Sequence, residues 1–176
     1  MTRKLSAITL IAALAASAAA IQVRAAGDKI AFPENFACGV MYTTVDRADN
    51  KRYLELFTAP AALDAAKKGE PLPSGTVITI VNYNAQVDAQ GNPVKDANGR
   101  FVKGSLIGYG VMEKRTGWGA EYPPEIRNGE WEYQSFTTEK KVNDKANLTA
   151  CFQCHKPLPS GQDYVFSYDK MKTAAK

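Results

Sequence analysis

The sequence predicts a mainly β (α+β) fold, a single domain built on a curved antiparallel sheet with a few helices. Residues 76–84 are rich in Thr, Val and Ile, and residues 101–114 form a second long strand-like run. Residues 130–136 alternate between two sets of side chains, as a strand does. With 176 residues, of which 45% are hydrophobic, the chain is long enough to bury one core.

Two helices and the connections are predicted from capping and turn residues. The first helix covers residues 58–68, with Thr58 as its cap, Pro60 in its first turn and Gly69 at its end. The second lies near the C-terminus and is capped by Asn143 or Asp144. The remaining predictions are a strand at 37–44 that buries the thiol of Cys38, a hairpin loop at 88–100, a bend at Gly104, Gly108 or Gly110, and a loop at 115–129.

The N-terminal residues 1–26 are predicted to be a cleaved signal peptide. Arg3 and Lys4 precede an apolar, alanine-rich run over residues 5–21, and small residues follow around Ala25. The run is short and weakly hydrophobic for a membrane anchor. We therefore expect export to the periplasm, with cleavage after Ala25 or Ala26.

Export changes the interpretation of the net charge. The chain has 22 basic and 18 acidic residues, but three of the basic ones lie before the cleavage zone. The mature chain thus keeps 22 minus 3, or 19, basic residues against 18 acidic ones, a net charge of +1. Net charge gives no argument for nucleic-acid binding, and no later segment is long and apolar enough to span a membrane.

Residues 151–155 carry the most specific motif in the chain. Cys151, Cys154 and His155 form Cys-x-x-Cys-His, the attachment signature of c-type haem. Two thiols three residues apart lie on one side of a helix, where they can bond the two vinyl groups of a porphyrin. His155 follows directly and is the predicted axial ligand of the iron, so we expect one haem c per chain.

Other uses of the two cysteines are a redox dithiol, a structural disulfide or part of a zinc site. A zinc site needs more Cys or His ligands than the chain retains, since His155 is its single histidine. A single histidine also excludes bis-histidine ligation within one chain. The sixth position is left to a lysine, to water, to no ligand, or to one of the methionines of the mature chain, Met41, Met112 and Met171.

The chain resembles the cytochrome P-460 family, whose members are β-rich, exported c-type cytochromes with a late haem motif. Besides the haem motif at 151–157, the resemblance rests on the order and spacing of blocks at residues 42–47, 71–76, 108–114, 128–133 and 163–166. It covers nearly the whole mature chain, so residues 27–176 are expected to form one haem domain of this type.

The resemblance implies a homodimer with a five-coordinate haem and an open distal site. Catalytic members oxidise hydroxylamine, carry a lysine bonded to the porphyrin and pass electrons to a redox partner such as another cytochrome. A related branch, the cytochromes c prime-beta, lacks this cross-link and binds nitric oxide and other gases. Oxidation of small nitrogen species such as hydroxylamine is therefore the first expectation, and gas binding or simple electron transfer are the alternatives.

Six further residues are candidates for the site. Lys103 is the first candidate for the cross-link and Lys114 is its rival. Glu132, followed by Glu130, is the candidate distal base, although the same side chains are equally consistent with a solvent-exposed outer face. Two more candidates line or bind the macrocycle: Phe101 as a pocket wall and Arg47 as the partner of a haem propionate.

Overall fold

The fold is a five-stranded antiparallel sheet whose strands follow one another in sequence order, β1-β2-β3-β4-β5. The computed structural model describes residues 29–175, so the predicted signal peptide lies outside the described residues. The strands are β1 (Val40–Arg47), β2 (Arg52–Thr58), β3 (Val77–Ala85), β4 (Lys103–Lys114) and β5 (Trp131–Phe136). The α-helices are α1 (Pro60–Lys68), α2 (Leu148–His155) and α3 (Tyr168–Thr173), with 3-10 turns at Phe36–Cys38 and Ser160–Gln162. The mainly β prediction is confirmed.

The helices cover one side of the sheet. We call this side the helix-bearing face; its main core residues on the strands are Tyr42, Leu56, Ile78, Met112 and Tyr133, which pack against α1, α2 and α3. We call the opposite side the far face; there Ile30, Val111 and Phe136 form a smaller core with Phe32 and Trp118. No helix in residues 29–175 is long and apolar enough to cross a membrane.

Several local predictions are corrected. Thr58 ends β2 and donates its hydroxyl to the carbonyl of Val77 at 2.8 Å, so Ala59 occupies the cap position of α1 without a capping side chain. Gly69 ends α1 in a left-handed conformation, as predicted. Cys38 lies in a 3-10 turn and is exposed, because β1 begins only at Val40.

Strand β4 is irregular in the part where a bend was predicted. The β3–β4 register shifts between Asn82 and Tyr83 and again between Tyr83 and Ala85. At Gly108, φ is +147°, and a Cβ there would lie 2.5 Å from the carbonyl oxygen of Phe136. Only glycine fits such a close approach between two strands.

Residues 86–102 form two successive tight turns rather than one hairpin loop. Each is closed by an aspartate, Asp88 or Asp96, whose carboxylate accepts backbone N–H groups within its own turn. The segment is tied to β1 through Asp46, which accepts from Arg100 at 2.7 Å and 3.1 Å and from the backbone N–H of Phe101 at 3.0 Å.

Acid is expected to loosen this attachment. The Arg100 guanidinium holds the pKa of Asp46 below its usual range, with help from the Phe101 N–H. A depressed carboxyl pKa gives stability that is present above the usual pKa and is lost as pH falls through the lower folded value. Arg100 is 43% exposed, so solvent limits the contribution to about 1 kcal/mol.

Amide exchange of residues 86–102 between pH 7 and pH 2 measures this effect. Asp46→Asn should lower the protection factors of this segment at pH 7, relative to the intrinsic exchange rate, to the values that the wild type reaches only in acid, and the exposed Asp144→Asn should not. A wild-type segment whose protection is unchanged at pH 2 would contradict the prediction.

Candidate haem-attachment site

Helix α2 presents the motif and is held by its buried side. Its cap is Asn147, whose side-chain oxygen accepts the Ala150 N–H at 3.3 Å, and not Asn143 or Asp144 as predicted. Phe152, 1% exposed, packs its ring 4.8 Å from those of Tyr122 and Tyr133. Burying Phe152 leaves Cys151 and His155 half-buried and Cys154 exposed.

A buried amide fixes this helix to the sheet. The side-chain nitrogen of Asn128 donates to the Phe152 carbonyl and to the Tyr133 hydroxyl, both at 3.0 Å. Asn128 and Tyr133 are both buried, so these bonds face little competition from water. The orientation of α2 over β5 is therefore set by hydrogen bonds as well as by packing.

The imidazole of His155 is prepared as a ligand. Its Nδ1 lies 2.7 Å from the Tyr164 carbonyl oxygen. Because a carbonyl only accepts, Nδ1 carries the proton and Nε2 keeps its lone pair. The ring lies between those of Tyr133 and Phe166, with centroids at 4.9 Å and 4.8 Å. Burial lowers the pKa of His155, which keeps the ring neutral near pH 7.

The two thiols are free and differ in exposure. Burial, followed by the neighbouring Cys154, raises the pKa of Cys151, so that thiol stays protonated at neutral pH. All three cysteines in the described part of the chain are free. Within residues 29–175 no group of three or more Cys, His, Asp or Glu side chains is placed to hold a metal ion. Neither a disulfide nor a zinc site is therefore present among these residues.

A strip of half-buried aliphatic side chains lies on the same face. Val45 pairs with Leu54 across β1 and β2, and Ile80 lies on β3 beside them. All three pack on the core cluster that Cys151 and Tyr164 also join. Across from Ile80, Gly110 adds no side chain. An incompletely covered apolar strip, two thiols one helical turn apart and a neutral imidazole with a free Nε2 fit a covalently attached haem.

Arg47 lies at the end of β1 on the Cys154 side. Its guanidinium binds Asp49 at 2.9 Å and 2.7 Å. That bond raises the pKa of Arg47. Pairing with a haem propionate stays a prediction and requires Arg47 to exchange its partner Asp49.

Lys103 lies on the far face of the sheet. The Lys103 ammonium binds Glu55 at 2.7 Å and lies 4.8 Å from the Tyr83 ring centroid. Glu55 alternates with Leu54 and Leu56, which point to the helix-bearing face. Phe101 is buried where residues 86–102 meet Asp46. Within one protomer neither side chain is brought to His155, so their roles at the haem stay predictions.

The rival lysine lies on the helix-bearing side and is already paired. Lys114 is buried and binds the Asp163 carboxylate at 2.8 Å and 3.1 Å. Its ammonium is 5.9 Å from the Trp131 ring centroid. Bonding to a porphyrin would require Lys114 to leave this ion pair.

Of the two candidate distal bases, Glu132 lies on the far face of β5 and Glu130 directly precedes that strand. Glu132, 1% exposed, alternates with Tyr133 and so points away from the His155 ring. Its carboxylate accepts from the Tyr122 hydroxyl at 2.9 Å and from the Lys29 ammonium at 3.1 Å. Glu130 is half-buried and accepts the Gly117 N–H at 2.8 Å.

The alternative of a solvent-exposed outer face is wrong. Glu132 and Gln134 are both buried. Residues 29–32 and Tyr122 reach this side of β5 and remove it from solvent. A proton-transfer role for Glu132 or Glu130 stays a prediction.

Reasoning from the sequence did not assign the groups that contact His155. The acceptor of its Nδ1 proton is a backbone carbonyl, that of Tyr164, and its ring neighbours are Tyr133 and Phe166. Two of these residues lie in the block 163–166, which carries the family resemblance without an assigned role. A signal was therefore present in the sequence, although its chemistry was not.

Comparison with known proteins supports the same assignment. The family model for cytochrome P460 matches residues 33–167, which contain the whole sheet, α2 and Tyr164. No curated protein sequence matches the chain. Since the match covers most of the chain and includes the site just described, the protein belongs to the cytochrome P460 family and is a haem c protein.

Proposed function

We propose that this cytochrome is exported to the periplasm and binds small nitrogen ligands such as nitric oxide at a five-coordinate haem that has no lysine cross-link. The observation that carries the proposal is the placement of the two candidate lysines. Lys103 pairs with Glu55 on the far face, and Lys114 is buried against Asp163. Neither amine is free on the face that carries Cys151 and His155.

The positions of the three methionines support a haem iron whose sixth coordination position is open. Met112 and Met171 are 3% and 0% exposed and fill the core, and Met41 pairs with Phe57 on the far face. Moving the sulfur of Met112 or Met171 to the iron would unpack the core, and the exposed Met41 lies on the face opposite His155. This argues against a His/Met electron carrier.

The chain's own groups contribute one axial ligand and an apolar surface. When bound, haem supplies an iron that takes a diatomic ligand. His155 would bind that iron through Nε2, while Val45, Leu54 and Ile80 would limit water near the macrocycle. Glu132, the first candidate for a distal base, is buried and its carboxylate is bound to Tyr122 and Lys29. Gas binding needs no proton acceptor, whereas hydroxylamine oxidation does.

Absorption spectra with mass spectrometry of the digested haem protein test the proposal. We expect an ordinary high-spin ferrous c-type spectrum that changes on adding nitric oxide. We also expect haem on the Cys151–Cys154 peptide alone, and a Lys103→Arg variant that matches the wild type. A red-shifted, broadened ferrous Soret band with haem joined to a lysine peptide would instead favour hydroxylamine oxidation. Sharp low-spin bands would leave an electron carrier.

The homodimer and redox partner that the resemblance implies are part of the same proposal. The far face carries half-buried aromatic rings: the ring centroid of Phe36 lies 5.1 Å from that of Phe57 and 5.9 Å from that of Tyr109. Met41, which pairs with Phe57, is exposed. Apolar surface of this kind is what dimer interfaces bury. Sedimentation of the haem-loaded protein at micromolar concentration checks the dimer.

A further inference from the structure

The backbone that carries the Tyr164 carbonyl is held in an unfavourable conformation. Asp163 and Tyr164 are consecutive non-glycine residues with φ of +46° and +59°. The left-handed region is unfavourable for an L-residue, because its Cβ approaches the following carbonyl oxygen. Such conformations persist only where the surroundings fix them, and they concentrate at functional sites.

Contacts on both sides of Tyr164 fix this conformation. On one side, the Asp163 carboxylate accepts hydrogen bonds from the Lys114 ammonium and from the Leu72 N–H, both at 2.8 Å. On the other side, the Tyr42 hydroxyl lies 2.7 Å from the Ser167 hydroxyl, and the Tyr168 hydroxyl donates to a backbone carbonyl at 2.6 Å. The side chains of Lys114 and Asp163 are only 11% and 13% exposed, so water competes weakly for this pair.

We propose that Lys114 and Asp163 are positioning residues for the axial histidine, holding the Tyr164 carbonyl against Nδ1 of His155 and thereby setting how strongly Nε2 donates to iron. A hydrogen bond from Nδ1 raises the basicity of a ligating imidazole and fixes its orientation. Stronger donation stabilises the ferric state, and ligand donation and outer hydrogen bonds are levers on haem potential. The inference rests on haem attachment and not on the gas-binding proposal.

The direction of the potential shift separates positioning from simple charge. If Lys114 and Asp163 act only as charges near the iron, removing the cation lowers the reduction potential and removing the anion raises it. If they act by holding Tyr164, losing either one weakens the His155 hydrogen bond, so both losses raise the potential. Lys114→Met is the variant for which the two explanations give opposite signs.

The experiment is a redox titration of the haem-loaded wild type, Lys114→Met and Asp163→Asn, with the iron–histidine stretching frequency measured by resonance Raman. We expect both variants to favour the ferrous state by up to about tenfold, which is about 59 mV for one electron. We also expect a lower stretching frequency in both. The matched control is Asp169→Asn, which removes the carboxylate of the exposed Lys172–Asp169 pair and should change neither quantity.

Two results would overturn the proposal. One is a lower potential in Lys114→Met together with an unchanged stretching frequency, which leaves only a charge effect. The other is a shift in Asp169→Asn as large as that in Asp163→Asn. If Lys114→Met yields no folded haem protein, Lys114→Gln replaces it, with a smaller rise expected and a fall in potential counting against the proposal.

Discussion

Replacing His155 with glycine is expected to remove the axial ligand while leaving haem bound through Cys151 and Cys154. His155 is the single histidine of the chain, so no second imidazole can take its place. The ferrous spectrum should lose its histidine-ligated form and the iron–histidine stretching band should disappear. Adding imidazole should restore both, because the space between Tyr133 and Phe166 is shaped for that ring.

The control for rescue is imidazole added to the wild-type protein. On the proposed five-coordinate haem the ring can enter only at the sixth position, so it should give a six-coordinate spectrum unlike that of the rescued variant. A His155→Gly protein that keeps the wild-type ferrous spectrum without imidazole would show that another residue ligates the iron. The two proteins together thus report on both axial positions.

The haem motif was predictable because its chemistry is local. Two thioether bonds and one axial bond need Cys151, Cys154 and His155 within one and a half turns of helix, and this spacing is visible in the sequence. The group that completes the site, the Tyr164 carbonyl, is a backbone atom and has no residue signature. The residue before it, Asp163, is bound by Lys114 and by the Leu72 N–H, and both of these residues are distant in sequence.

Strands were predicted correctly from the sequence where one face of the strand was distinctly apolar. Strand β2 was missed because Leu54 and Leu56 line one face while Tyr53 and Phe57 line the other, which obscures the alternation. Lys103 could not be assigned to a face because the β3–β4 register shifts twice beside it. A one-residue shift of register moves a side chain to the opposite face, and sequence pattern does not locate a bulge.

Glu132 shows how a candidate catalytic group and a structural one can share a sequence pattern. The alternation of residues 130–136 correctly indicates a strand, but burial of its Glu132 face depends on Tyr122 and on residues near Lys29. The structural interpretation predicts that Glu132 stabilises the fold and leaves ligand binding at the haem untouched. The catalytic interpretation predicts the reverse.

A Glu132→Gln variant is therefore expected to unfold at lower temperature and to bind nitric oxide as the wild type does. The substitution removes a buried charge that accepts from Tyr122 and pairs with Lys29. Lys29 is 25% exposed and keeps Glu121 as a partner, so we expect a loss of about 2–3 kcal/mol in unfolding free energy rather than the full penalty of a stranded charge. For a domain of this size that is roughly 5–10 °C in Tm.

The matched control is Glu130→Gln, at the residue directly before β5, whose half-buried side chain accepts only the Gly117 N–H among the contacts described for it. Removing that charge should change the unfolding free energy by about 0.5 kcal/mol or less. Both variants should give the wild-type nitric oxide titration. If Glu132→Gln keeps its Tm but loses a hydroxylamine-dependent reduction of the haem, the carboxylate is catalytic, and the pairing with Tyr122 and Lys29 must open in the working protein. Stability and ligand chemistry thus separate at this residue, because Tyr122 and Lys29 hold the Glu132 carboxylate on the face opposite His155, so a structural loss changes Tm and a catalytic loss changes haem reduction.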